Sequence, residues 1–150
     1  MMRNLVLKKW AEVRAGLLGT IEKFAGHELA YRPFPDAYSV VETILHIAHE
    51  EEIEAGYGLT RRLSQLPPAY DPLHYPSKGL LLDLLAESHS HTLTYVQTLS
   101  DEDFEAPVEL AWGQTSPRSD VLLHVLEHEI HHRAELSLML GLLGRQGLDA

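Results

Sequence analysis

Apolar residues recur three and four positions apart along most of the chain. From Asn4 to about Phe24 they fall at Leu7, Trp10, Ala11, Val13, Leu17, Leu18, Ile21 and Phe24. That is the period of a helix with one buried face. Gly26 lies just past its end, where helices stop. Pro33 and Pro35 mark His27 to Ala37 as a loop. A second stripe, Val41, Ile44, Leu45 and Ala48, runs on toward Leu59 and Leu63. Its start, Ser39-Val40-Val41-Glu42, has the form of a capping box, in which serine accepts from the N3 amide and the glutamate reaches back. Glu50, Glu51 and Glu52 mark the solvent side of this second helix.

A proline-rich loop, with Pro67, Pro68, Pro72 and Pro76, leads to Ser77, the expected cap of a third helix. That helix carries Leu81, Leu84, Leu85, Leu93, Val96 and Leu99. Ser100 to Asp103 starts one further short turn. Between Glu105 and Thr115 the chain reads as irregular. Val108 to Trp112 suits an extended run, but one short strand alone makes no sheet. Ser116-Pro117, a serine cap with proline at the first helical position, opens the last helix. It runs to about Leu143 and stops at Gly144. Four amphipathic helices with connecting loops predict an all-α fold, a four-helix bundle with a long connection before the last helix, in a single domain over residues 1–150.

Composition narrows the function. Apolar residues form 45% of the 150, enough for a packed core. There is no cysteine. A disulfide scaffold, a thiolate metal site and a cysteine nucleophile are therefore excluded, and a reducing compartment fits. The net charge of −10, from 12 basic and 22 acidic residues, argues against nucleic acid as a partner. Arg61-Arg62 and Lys8-Lys9 read as solvated helix faces. No signal peptide and no bilayer-length apolar run is visible, so the cytoplasm is the expected location and no membrane partner is expected.

Ten histidines change the picture. His46 and His49 sit together, and His124, His128, His131 and His132 crowd into one stretch. His128 and His132 are four apart, which stacks both imidazoles on one helix face and lets them chelate one ion. Imidazole suits zinc, nickel, copper or iron(II). Val121, Val125, Ile130, Leu136, Leu138, Met139 and Leu140 predict that this helix is largely buried. Buried imidazoles need hydrogen bonds or an ion. A third histidine from another helix would complete a three-histidine site with open positions. His46 is the candidate and His49, one turn on, the alternative. His124 reads as packing or support for the ligands. His131 points about 100° away from His132. His27, His74, His89 and His91 are expected to have no ligand role.

His128-Glu129-Ile130-His131-His132 also matches H-E-x-x-H, in which the glutamate is general base of a metallopeptidase. The segment beyond His132 offers only Glu135 and Asp149 as carboxylate ligands, and no sheet edge is expected to hold a peptide. Glu129 therefore reads as solvated or as a support for the ligands.

Two segments resemble a known group. Ser39 to Ile47, Ser-Val-Val-Glu-Thr-Ile-Leu-His-Ile, is similar to the second-helix motif of the DinB/YfiT-like family. His124 to Arg133, followed by Leu136 and Leu142-Leu143-Gly144, is similar to its fourth-helix motif. The resemblance covers nearly the whole chain. It implies an up-and-down four-helix bundle, a homodimer, and a zinc or nickel ion held by His46, His128 and His132. It also implies transfer or isomerisation with a low-molecular-weight thiol such as bacillithiol, mycothiol or glutathione. Where the family often has His-His-Arg-Gly-Gln, this chain has His131-His132-Arg133-Ala134-Glu135, so a carboxylate replaces a neutral amide one turn beyond His132.

The leading expectation is thus a metal-dependent transferase that directs a thiol at an electrophilic small molecule. Glu129, Glu135, His124 and His49 are candidates for orienting the ligands; no residue is assigned as catalytic. The alternatives are a non-enzymatic metal-binding module for ligand sensing or stress, an H-E-x-x-H metallohydrolase, and a purely structural histidine cluster.

Overall fold

The computed structural model describes residues 1–147. Four long helices follow the predicted stripes. α1 is Met2–Glu22, α2 is Val40–Glu51, α3 is Lys78–Thr98 and α5 is Arg118–Leu142. The short helix α4, Asp101–Glu105, stands where the further turn was expected. α1 packs on α5 and α3, and α2 packs on the same two helices. Among the described residues no helix is long and apolar enough to cross a membrane.

The predicted caps set two of the starts. Ser39 Oγ accepts from the Glu42 amide at 3.3 Å, and Glu42 Oε2 accepts from the Ser39 amide at 2.7 Å. Ser77 caps α3 through the Leu80 amide. Ser39→Ala leaves the Glu42 amide without its side-chain acceptor. The expected loss is about 1 kcal/mol, read as a shifted urea midpoint with an unchanged slope.

Three expectations are corrected. First, Glu51 and Glu52 are not on a solvent face: they are 1% and 7% exposed. Glu51 follows Ala48 by three residues and Ile47 by four, which is the core stripe itself. At Glu52 the helix widens into a π-helical segment, Glu52–Leu59, a register change that α-helical periodicity does not anticipate. Glu52 pairs there with Arg62.

Second, the expected lone extended run has a partner. β1, Pro107–Glu109, pairs antiparallel with β2, Thr115–Pro117, with Val108 opposite Ser116. Gly113, at φ +89°, allows the reversal between them. This hairpin lies against the π-helical segment. Gly58 O accepts from the Ala111 amide at 2.9 Å. A Cβ on Gly58 would fall 2.2 Å from the Trp112 ring, so a larger residue there would displace that ring. Third, Ser116 belongs to β2 and does not cap the last helix: Pro117 is the cap residue and makes no side-chain cap bond. Gly144, at φ +81°, follows the end of α5 as expected.

The core has two apolar halves. One is built on Leu17, Ile21, Ile44, Leu85, Leu136 and Leu140. The other is built on Trp10, Val13, Val96, Phe104, Leu122 and Leu126. Each long helix breaks its apolar run once between them. α1 places Arg14 at the break, α2 Glu51, α3 Ser88, His89 and Thr92, and α5 Glu129 and His132, all of them buried. A polar layer therefore crosses the middle of the molecule.

Candidate metal centre

α2 and α5 pack together and bring His46 to His128 and His132. His128 Nε2 lies 3.0 Å from His46 Nε2 and 3.1 Å from His132 Nε2. The three ligand-type nitrogens all lie within 4.8 Å of one another. The i, i+4 pair comes from one helix face, as its spacing predicts.

The protons of this cluster do not balance. A ring nitrogen carries either one proton or one lone pair in its plane. His128 Nε2 faces two nitrogens at hydrogen-bond distance and can satisfy one of them. His132 Nδ1 lies 2.7 Å from Glu135 Oε2. The carboxylate accepts, so Nδ1 carries the proton, and in the neutral ring Nε2 keeps its lone pair facing the cluster. A divalent cation resolves the conflict, because it takes one lone pair from each ring. Two nitrogens bound to one tetrahedral zinc ion at about 2.0–2.1 Å lie roughly 3.3 Å apart, close to the 3.0 and 3.1 Å that separate His128 from His46 and His132. The donor set thus fits a borderline metal such as zinc or nickel.

Electrostatics agree with that donor set. Burial, and then the charge of the neighbouring imidazoles, pushes the His128 pKa down to about 3. Burial and His132 lower that of His46, and Glu50 opposes them. Glu135 also takes His131 Nε2, at 3.1 Å. Glu135 is therefore the group that fixes the tautomer of His132. Glu135→Gln removes that charge, and the expected result is zinc affinity weakened about tenfold to a hundredfold, measured by competition with a chromophoric chelator.

The other histidines separate from the cluster. His49, the alternative ligand, donates Nε2–H to the Pro67 carbonyl at 2.9 Å. His124 lies 3.9 Å from Glu50 and is exposed. Glu50, Glu54 and His124 form a second, acidic group on the same α2–α5 side. Burial and Glu50 raise the Glu54 pKa there. Asp149 lies outside the described residues.

Glu129 is corrected most sharply. It is neither solvated nor beside the histidines but buried in the polar layer. Its Oε2 accepts from Trp10 Nε1 and from Arg14 Nη2, each at 2.9 Å. The carboxylate that would serve as general base in an H-E-x-x-H hydrolase is thus turned inward. The same Arg14 Nη2 donates to Glu51 Oε2 at 2.9 Å, and His89 Nδ1 donates to Glu51 Oε1 at 2.8 Å. Burial pushes the Glu51 carboxyl up, but the His89 hydrogen bond and the Arg14 charge outweigh it and hold its pKa low. Burial raises that of Glu129 against Arg14 and Trp10. Arg14, Glu51 and His89 were not expected from the sequence to share a network. The available signal was position alone, a charge falling on an apolar stripe.

The profile of the DinB superfamily matches residues 9–136. Among solved structures, the chain is similar to a DinB-like protein from Bacillus cereus ATCC 10987, with 14% identity, a TM-score of 0.76, and 97% of this chain and 95% of that one covered. It is also similar to a DinB-like protein from Bacillus subtilis, with 17% identity, a TM-score of 0.71, and 97% and 96% covered. No curated protein sequence matches it. At these identities the structural likeness speaks for the fold.

Proposed function

The chain belongs to the DinB superfamily, and on that premise we propose a metal-dependent transferase that uses a low-molecular-weight thiol on an electrophilic small molecule. His46, His128 and His132 hold one zinc or nickel ion. The clustering of their ring nitrogens, all within 4.8 Å of one another, carries this reading. An up-and-down order of the long helices, a single domain, a homodimer and a cytoplasmic location belong with it.

The bound cation supplies Lewis acidity, which favours the thiolate form of a thiol at an open position. The chain supplies the rest. His128 and His46, with lowered pKa values, present neutral rings at pH 7. Glu135 holds the Nδ1 proton of His132 and so keeps its Nε2 turned to the cluster. The Tyr38 ring stands edge-on to His46, with centroids 5.3 Å apart, and walls one side. In the transfer the thiol gives its proton to water, which can pass it to the leaving group, and its sulfur forms a bond to the electrophilic carbon. The leaving group departs with the electron pair of the bond that breaks.

The test is elemental analysis of untagged protein beside a His46→Ala/His132→Ala variant, followed by a thiol-consumption assay with a panel of electrophiles. About one zinc or nickel per chain, absent from the variant, is expected, with thiol consumption lost in the folded His128→Ala protein. Metal without turnover for any thiol would reduce the protein to a binding module. No metal after zinc and nickel are added would remove the site.

A further inference from the structure

The three histidines stand between two ends of opposite character on the α2–α5 side. Beyond His46, on α2 and the π-helical segment, and before His128 on α5 lie Glu50, Glu54 and His124. Before His46 and beyond His132 lies a cavity of about 420 Å³, lined by Phe34, Tyr38, Glu135, Leu138, Met139 and Leu142. That volume suits a small organic group. Phe34, Leu138 and Leu142 are 62%, 64% and 56% exposed. Three large apolar side chains around one depression are more than scattered surface hydrophobicity. Two of the cavity walls touch the metal centre: Tyr38 is edge-on to His46, and Glu135 bonds His132.

From this placement we infer that the cavity is the subsite for an uncharged alkyl or aryl tail of the substrate, whose ligating or electrophilic head sits at the histidines. The inference rests on the metal-site reading above. The substrate class is amphiphilic, with a neutral tail. An anionic tail is disfavoured here by Glu135, and at the other end by Glu50 and Glu54.

The test titrates zinc-loaded protein calorimetrically with acetohydroxamate, hexanohydroxamate, octanohydroxamate and the monohydroxamate of succinate, which are zinc ligands with graded tails. Affinity is expected to rise about threefold to fourfold for each added methylene that is buried, with no gain for the succinate compound. Leu138→Ser/Leu142→Ser, at exposed positions where the fold tolerates change, is expected to flatten the series and leave acetohydroxamate binding as it was. A flat wild-type series with acetohydroxamate bound, or no ligand bound to protein that holds zinc, overturns the subsite and leaves the metal site standing. A flat series together with a dimer that Leu138→Lys dissociates in sedimentation assigns the face to a second copy instead. Loss of both zinc and acetohydroxamate binding overturns the two readings together.

Discussion

Arg14→Met is expected to cost about 3–5 kcal/mol of folding stability, the penalty for leaving buried charge without its partner. One guanidinium nitrogen serves both Glu51 and Glu129. Removing it leaves two carboxylates at 1% exposure each, with only His89 and Trp10 as strong donors. At roughly 2–4 °C per kcal/mol for a chain of this length, the melting temperature drops on the order of 10 °C. The loss also has a pH signature. Without Arg14, the Glu129 carboxyl, already raised by burial, loses the charge that opposes the rise most, and Glu51 loses one of the groups that hold it low. The folded variant then binds protons that the unfolded chain does not, so it gains stability as pH falls from neutral toward 4, and the deficit narrows. A triple variant, Arg14→Met/Glu51→Leu/Glu129→Leu, removes the charges together and is expected to recover most of the loss. Arg14 Nε and Nη1 and Glu129 Oε1 have no protein partner among the described residues, so the layer is incompletely satisfied as it stands. Denaturant titrations of the three proteins at pH 7 and pH 5 decide it. A single variant within 1 kcal/mol of wild type would show that the layer is not a sealed interior.

The same layer shows where the sequence was legible and where it was not. The four long helices were readable because each keeps one apolar stripe, and the Ser39 and Ser77 caps because their chemistry is local. His128 and His132 are legible from their i, i+4 spacing and His46 from its place on the second helix, and the family resemblance implies the same three. The structure brings these three together. Glu51 was misread because three consecutive glutamates look like a wet face, although only their angular position decides burial. Ile47 and Ala48 precede Glu51 by four and three residues, and Val125 and Leu126 precede Glu129 by the same intervals. Each acid therefore sits on a core stripe, and its burial depends on a cation from a distant helix, Arg14. Nothing local in the chain announces that pairing. The hairpin was missed for a similar reason, since a strand of three residues becomes visible only with its partner at Thr115–Pro117. The π-helical turn at Glu52 breaks the 3.6-residue period by which a helix is legible.

Loading the triad with zinc at about a thousand times its dissociation constant is expected to stabilise the protein by about 4 kcal/mol, or roughly 10 °C. Chelation is expected to reverse the shift, and His128→Ala to abolish it. The metal-free protein carries a second signature. Its His128 pKa is held at about 3, by burial and then by its imidazole neighbours, against about 6.5 in an unfolded chain. Between those two values the unfolded chain takes up a proton that the folded protein refuses, so stability falls as pH drops from 6.5 toward 3. His46, lowered by burial and by His132, adds to the same trend. Melting curves in chelator from pH 7.5 to 4.5 are therefore expected to slope downward with acid, and less steeply in His128→Ala. A metal-free protein whose melting temperature ignores pH in that window would contradict the buried, neutral cluster. Both effects have one origin. His128 Nε2, about 3 Å from two other ring nitrogens, cannot satisfy both with its one proton or lone pair, and the arrangement that holds protons poorly is the one that offers a cation three lone pairs at once.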